Sequence, residues 1–599
     1  MTIDSNTTRI LSRHLNFLVK LFEERLSYIS NSGFNFSFIF SKIDMDLLKN
    51  FAKNFFSLGE FKIFGIDGSM AKEEYLEVLL LYVCSLGYYG KLKVNDENIE
   101  VNIQDIEREK LLSLTASIPL WIEDLPNVNP QSSLDSKDYE INRSIESIAY
   151  ALMRLSELTL TYRVLQRQDV KVILMDGLIS GAYGPLMRDF RLLMRGTSVF
   201  EGFKTPYGKI DKTDLLLAGN LGPYSFFIPN RSVFSKYKLL KYLLDINGNE
   251  WISINEIKSK YDGFDQAYRS LKRLNKILNG NLLEFKNEEK YIRVRPELFN
   301  YWDKIWWATC YLTNKIFEEK EEYPFLINND RWITVLDIST MNLFTLYNLL
   351  NEAIKRKILV IGIAKDISAT DFIRSIFPII LYLQGINNDF EEFPRLQSDK
   401  AFLTMLSTIN YDKIKTPWRT LEYDYCFATT LSHIKNKELN IRAARKIIGK
   451  EQMFVKSYFQ LRSSDKDSSM RSPVFCYDRP IYSEYDKNLL KTFDAYDHRG
   501  LNKIFPLMEF KDLSLIGNLV LYILSLSDNP HIIEEAGHNH LLFLADKYVK
   551  IMSKQAKEML KGVASLGLGG IVNKYKAYFI TKRFRDIRAE AEKLREKYG

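Results

Sequence analysis

Apolar positions along the 599-residue chain switch between helical and strand spacing. Leu11, Leu15, Leu18, Val19, Phe22 and Leu26 recur at helical intervals, which predicts a helix over 7–31. A second helix is expected over 44–57. The pattern then becomes a continuous apolar run, Phe61 to Ile66, of strand length and expected to stop at Asp67-Gly68-Ser69. Further strands are expected over 76–84 and 91–94, joined through Gly87-Tyr88-Tyr89-Gly90. Residues 124–139, rich in Pro, Asn, Ser and Asp, read as a loop. A long amphipathic helix over 142–166 follows. It feeds a second strand, Val172 to Met175, which again leads into Asp-Gly, at Asp176 and Gly177.

From Ser235 the pattern changes. A helix, a Ser253 to Glu256 capping box opening a short helix, a turn at 261–263 and a third helix precede two short strands. Three helices and then a hairpin is the winged-helix order, in which the third helix reads DNA. That helix carries Arg269, Lys272, Arg273 and Lys276 on its exposed side. A solvated basic face or a protein-binding module accounts for the same residues, because fold does not fix function. Downstream, the pattern predicts an aromatic helix over 301–326, a strand over 331–337 and a helix over 345–355. A buried strand, Leu359 to Ala364, then ends at Lys365-Asp366. A helix opened by Ser398 or Asp399 comes next. Strands over 420–429, 453–461 and 474–477, a polar loop over 463–472, an apolar helix over 513–526 and a basic helical tail over 574–597 complete the reading.

Composition narrows the class. Apolar residues make up 46%, enough for sizeable cores, and the length suggests about four domain-sized units. The net charge of +8 is modest and suits a nucleic-acid binder only if the basic residues cluster. Cys84, Cys310, Cys426 and Cys476 are far apart, which excludes a CxxC-type zinc site; buried thiols are expected. The N-terminus lacks a signal-peptide pattern. The longest uncharged stretch, 513–527, is shorter than the roughly 20 residues of a membrane helix. A soluble cytoplasmic protein is therefore expected. Its Lys, Glu, Ile and Tyr usage would suit a thermophile.

The candidate chemistry lies at the strand ends. A carboxylate beside a buried strand is costly unless something pairs with it. Asp67 and Asp176 both occupy such positions, which suggests a divalent-metal site; the alternative is ordinary Asp-Gly turn chemistry. Arg154 and Glu157 are three apart and share a helix face, either as an exposed ion pair or with Glu157 reaching into the metal site. Lys365 either snorkels at a strand edge or neutralises charge on a phosphate. His531, His538 and His540 lie around Glu534 and Glu535, but their spacing matches no zinc-ligand pattern. The basic start of the tail, Lys574 to Arg585, suits a phosphate backbone.

The IDGS segment at Asp67, the Arg154–Glu157 helix, the ILMDG strand at Asp176, the IGIAKD strand at Lys365, the SDKAFL helix start at Asp399 and the late FPLMEFKDLS and LADKYVKI segments occur in an order that resembles the NurA nuclease family. The resemblance implies an α/β fold: a ribonuclease-H-like mixed-sheet core with helical additions, here with an inserted winged-helix domain. On that reading 1–58 is an N-terminal helical region and 59–234 and 301–560 form the core. Residues 235–300 are then the insertion and 561–599 the basic tail. The resemblance further implies a manganese- (or magnesium-) dependent nuclease that degrades DNA from 5′ ends and cuts single strands. Such proteins are dimers that act with a HerA-type hexameric translocase in end resection. On that resemblance Asp67, Glu157 and Asp176 become metal ligands and Lys365 sits near the scissile phosphate; separately from it, Arg154 and the basic third helix are expected to contact DNA. One departure is Lys511, a candidate catalytic residue that stands where the family has a histidine; His498 or a later histidine could replace that histidine. The insertion is the other departure. Two further readings stay open: a catalytically reduced DNA-end adaptor, and a winged-helix DNA-binding factor.

Overall fold

The strand expected to end at Asp67 runs on. In a computed structural model, the chain is described over residues 12–575 with interruptions, the longest at 25–35, 104–111, 131–137, 224–234, 386–397, 444–452, 463–470 and 505–513. Helix α1 (Met45–Phe56), capped by Asp44, leads into β1 (Gly59–Tyr75). β1 pairs antiparallel with β2 (Val78–Val94) from Gly59 opposite Val94 to Tyr75 opposite Val78. That ladder outweighs the turn preference of Asp-Gly, and Gly68 does not take a positive φ. The Gly87 to Gly90 segment likewise stays in strand. Tyr88 and Tyr89 are both buried, and a side chain at Gly90 would meet the Asn102 carbonyl oxygen at 2.9 Å.

β3 (Ile99–Asn102) and β4 (Leu112–Trp121) pair with β2. The expected loop at 124–139 contains a short helix, Leu125–Val128, with Pro126 in its first turn, where a missing N–H costs nothing. Helix α2 (Asp138–Leu165) then delivers the chain to β5 (Val170–Asp176). Here Asp-Gly does turn: Gly177 has φ 84° and its N–H donates to the Ile363 carbonyl at 2.7 Å. Helix α3 (Ile179–Leu193) follows.

Residues 235–298 run as α4 (Ser235–Asn247), β6 (Ile252–Ser253), α5 (Ile254–Lys260), α6 (Phe264–Ile277), β7 (Leu283–Lys286) and β8 (Tyr291–Val294). The three strands form one small sheet. The capping box expected at Ser253 is not made. Ser253 pairs with Tyr291 and the Ile254 N–H bonds to the Lys290 carbonyl, so strand pairing takes its place. The apolar core of this segment is continuous with the main core.

The aromatic helix stops at Phe317 rather than 326. The strand expected over 331–337 is only Arg331–Trp332. Thr334 and Asp337 form a reciprocal capping box that starts α7 (Val335–Arg356) early, absorbing the helix expected over 345–355. β9 (Leu359–Ala364) is as expected, and Ser398 caps the helix beginning at Asp399. The strand expected over 420–429 appears as β10 (Trp418–Thr420) and a two-residue piece, Tyr423–Asp424; residues 425–429 lie outside the described residues. β11 (Phe454–Gln460) and β12 (Phe475–Pro480) complete the main strands. Helix α8 (Leu515–Leu526) and the 36-residue helix α9 (His540–Tyr575) follow. The tail beyond 575, Cys426, Lys511 and His498 lie outside the described residues. Cys84 and Cys476 are buried, while Cys310 is only half-buried at the rim of a groove.

Among the described residues the main sheet has 11 strands. Its middle is β12-β9-β5-β1-β2, with β9, β5 and β1 parallel and the flanking strands antiparallel. Side chains alternate between two faces. Phe64, Ile66, Ile173 and Met175 point to a core built with α2, α3 and α7. Ile63, Val172, Leu174, Ile361 and Ile363 point to a second core built with α1, α8 and the start of α9. Gly65 lets α9 approach: a side chain there would strike the Leu541 backbone at 2.8 Å. Farther along the sheet, buried charges are paired, Lys456 with Asp371 at 2.9 Å and Arg479 with Glu422 and Asp486. Removing one partner of such a pair costs about 3–5 kcal/mol. Among the described residues no helix is long and apolar enough to cross a membrane.

Candidate active site

Register places the acids. Ile66 of β1 lies opposite Met175 of β5, so the next position on each strand brings Asp67 beside Asp176. Asp176 in turn lies opposite Ile363 of β9, two residues before Lys365. By alternation Asp67, Asp176 and Lys365 share the sheet face that packs on α9. Lys365 Nζ meets Asp176 Oδ2 at 3.4 Å.

Glu157 comes from α2 on the opposite face. It passes over Gly68, where a Cβ would sit 2.8 Å from Glu157 Cγ and closer still to its carboxylate. The missing side chain is what lets the glutamate reach toward Asp67 and Asp176. Arg154 Nη1 holds Glu157 Oε2 at 3.0 Å with both side chains buried, so the pair is not a solvated surface bridge. The Gly68 N–H donates to Asp67 Oδ1 at 2.7 Å. All these groups line one open cavity of about 930 Å3.

A fourth carboxylate, Asp546, lines the same cavity from α9. It was missed in the sequence because nothing local marks it; its only signal was the LADKYVKI segment. Asp67 is 5% exposed, and burial together with the nearby Asp176, Glu157 and Asp546 pushes its carboxyl up to about 8 despite Lys365. Burial also raises Glu157, against the pull of Arg154. Burial pushes Asp546 up as well, but Lys550, at 2.8 Å, with Lys365 and a hydrogen bond from Asp67 outweigh it and hold Asp546 below the ordinary range. The site is thus short of positive charge, and in the ion-free protein Asp67 carries the proton.

Hard carboxylate oxygens around such a deficit suit a divalent cation such as Mn2+ or Mg2+. The side chains are not drawn into a ligand cage: among the described residues no group of three or more His, Cys, Asp and Glu is close enough to hold an ion as they lie. The two observations agree, because charge repulsion acts over several Å and a metal–oxygen bond does not.

The late histidines divide. His540 Nδ1 pairs with Glu535, and neither lines the cavity. His538 is buried against Phe475, ring centroids 5.6 Å apart, and its Nε2 has no hydrogen-bond partner. Burial, with Lys365 nearby and Asp546 only partly opposing, holds it down to about 3. Its ordinary value is near 6.5, so the unfolded chain gains a proton below pH 6.5 that the folded chain refuses until about pH 3. Folded stability contributed by neutral His538 is therefore complete above pH 6.5 and falls as pH drops, by at most about 1.4 kcal/mol per pH unit. His538→Gln is expected to flatten this loss. Melting temperatures of parent and variant at pH 7 and pH 4 check it; a pH 4 to pH 7 difference as steep in the variant as in the parent would contradict it.

The basic residues of α6 do not reach this cavity. Arg269, Arg273 and Lys276 are exposed, while Lys272 is half-buried, bound to Glu289 at 2.5 Å and seated against the Tyr268 and Phe285 rings.

Among solved structures, the NurA nuclease from Sulfolobus solfataricus is 10% identical over 94% of this chain and 98% of its own, with a TM-score of 0.37. A NurA structure with manganese is 11% identical over 92% of this chain and 98% of its own (TM-score 0.33), and one bound to dAMP and manganese is 11% identical over 80% and 88% (TM-score 0.31). No curated protein matches. The NurA domain itself matches residues 61–551, which contain every acid of the cavity. By that match, across most of its length, the chain belongs to the NurA family.

Proposed function

We propose that the protein is a divalent-metal-dependent deoxyribonuclease that hydrolyses phosphodiester bonds at this cavity. The observation that carries the reading is the buried Asp67 set among Asp176, Glu157 and Asp546 with Lys365 alongside. Asp67 and Asp176, neighbours on parallel strands, would hold the cation, with Glu157 and Asp546 completing the oxygen set from the two faces. When bound, the cation supplies Lewis-acid activation of the scissile phosphate. Lys365 neutralises charge that builds on the phosphate oxygens. Arg154 fixes the orientation of Glu157 and offers its remaining N–H groups to the phosphate backbone. In the ion-free protein Asp546 accepts a hydrogen bond from protonated Asp67, which keeps the α9 acid beside the strand acids. Lys511, the late family position, is assigned no step.

Exonuclease action from 5′ ends, single-strand cutting, a homodimer and a HerA-type translocase partner follow from the family reading. The exposed Arg269, Arg273 and Lys276 of α6 would supply a secondary DNA contact; Lys272, already paired with Glu289, is the weakest candidate. Manganese is the ion of two related structures and the first to try. Incubation of the full chain with single-stranded and duplex DNA in Mn2+ is expected to give cleavage that chelation by EDTA abolishes. Manganese binding without cleavage of either substrate would instead favour the non-catalytic adaptor.

A further inference from the structure

The cavity continues outward along one face of α2. Arg143, Ser147, Tyr150, Arg154 and Glu157 follow one another at intervals of four, three, four and three residues, so they stack as a single stripe. All five line the cavity. At the α-helical rise the stripe is about 21 Å long. Exposure drops along it: Arg143, Ser147 and Tyr150 are open to solvent, Tyr150 at 59%, and Arg154 and Glu157 are buried. Its solvent end thus offers a cation and an aromatic ring, and its inner end reaches the acids.

Arg154 supplies the second observation. Its Nη1 is committed to Glu157, but its Nε is buried and has no hydrogen-bond partner. A buried cationic N–H without an acceptor is costly, and an anionic oxygen is the partner that relieves it best. Across the cavity, α3 presents Arg188, whose side chain is 72% exposed and meets Asp189 at 3.1 Å. That wall is close to neutral, so the α2 stripe carries the attraction for a polyanion.

We infer that this stripe is the track on which an unpaired deoxynucleotide strand enters the centre: Tyr150 stacks on a base, the Arg154 Nε–H donates to a phosphate oxygen, and Arg143 holds a phosphate farther out. The inference rests on the nuclease reading above. Bases within a duplex are already stacked and show only their edges in the grooves, so a lone tyrosine ring has no base face to cover. A cavity of about 930 Å3 has room for a few nucleotides. Stacking is indifferent to base identity, so the track selects strand state and not sequence.

Steady-state cleavage of a single-stranded oligodeoxynucleotide by the full chain in Mn2+ tests this, alongside the fluorescence of the same strand carrying 2-aminopurine. Tyr150→Ala is expected to raise KM by about tenfold or more, the loss falling in KM rather than kcat, and to remove the 2-aminopurine quench on binding. Tyr150→Phe and Tyr150→Trp should keep both. Arg143→Ala should lower the slope of log affinity against log salt by about 0.7. A parent that cleaves, with Tyr150→Ala unchanged in KM and quench, overturns the track alone. A parent that neither binds nor cleaves DNA overturns the track and the nuclease reading together.

Discussion

Asp67→Asn is expected to abolish metal-dependent DNA cleavage and, in the same protein without metal, to raise the melting temperature at pH 8. The first half follows from the proposed role of Asp67: if it belongs to the cation's oxygen set, losing its carboxylate removes several kcal/mol of stabilisation, about a thousandfold or more in rate. The second half follows from its environment. Burial, then Asp176, Glu157 and Asp546, raise the folded carboxyl to about 8 from an ordinary 3.8. The folded state therefore keeps a proton that the unfolded chain loses between these values. Metal-free stability falls as pH rises through that window, and the whole cost is present above about pH 8. Asparagine has no proton to lose, so the variant escapes the cost at pH 8 and gains nothing below pH 4. Opposite signs for activity and stability mark an acid kept for chemistry rather than for folding. Cleavage assays in Mn2+ and melts in EDTA at pH 4 and pH 8 decide the matter. Full activity in the variant would remove Asp67 from the chemistry, and a lower melting temperature at pH 8 would show that it holds the fold together.

Much of this centre was legible in the chain because its acids follow strong local patterns. Asp67 and Asp176 each come after a β-branched run, and Lys365 follows another; parallel pairing of those three strands then sets them side by side. Arg154 and Glu157 were visible as a helix pair, though only packing shows that the pair is buried. What could not be read was set by distant pairing. The β1–β2 ladder carries Asp67 through mid-strand, against a turn signal that Gly177 does obey. Asp546 lies on α9, hundreds of residues from Asp67 in sequence, and reaches it because Gly65 lets that helix sit close to β1. The solvent-to-core gradient along α2 is likewise invisible until a neighbour covers one end of the stripe.

Gly68→Ala puts the two-sided construction to the test without removing any acid. Gly68 needs no special backbone, so alanine costs nothing in φ and ψ. It does cost space: the new Cβ would lie 2.8 Å from Glu157 Cγ and 3.0 Å from its Cδ. The obstructed group is the end of a side chain and not backbone, so Glu157 moves away and the strand does not. Stability is therefore expected to change little, while a displacement of about 1 Å in a catalytic carboxylate costs roughly a hundredfold in rate. A double-mutant cycle separates this from a diffuse effect. If alanine acts by moving Glu157, it adds little to the loss already caused by Glu157→Gln. Additive losses would mean that Gly68 contributes by another route, such as its N–H to Asp67. Parent-like activity in Gly68→Ala would mean that Glu157 has no part in the reaction, and the centre would then reduce to the three acids on the α9 side of the sheet.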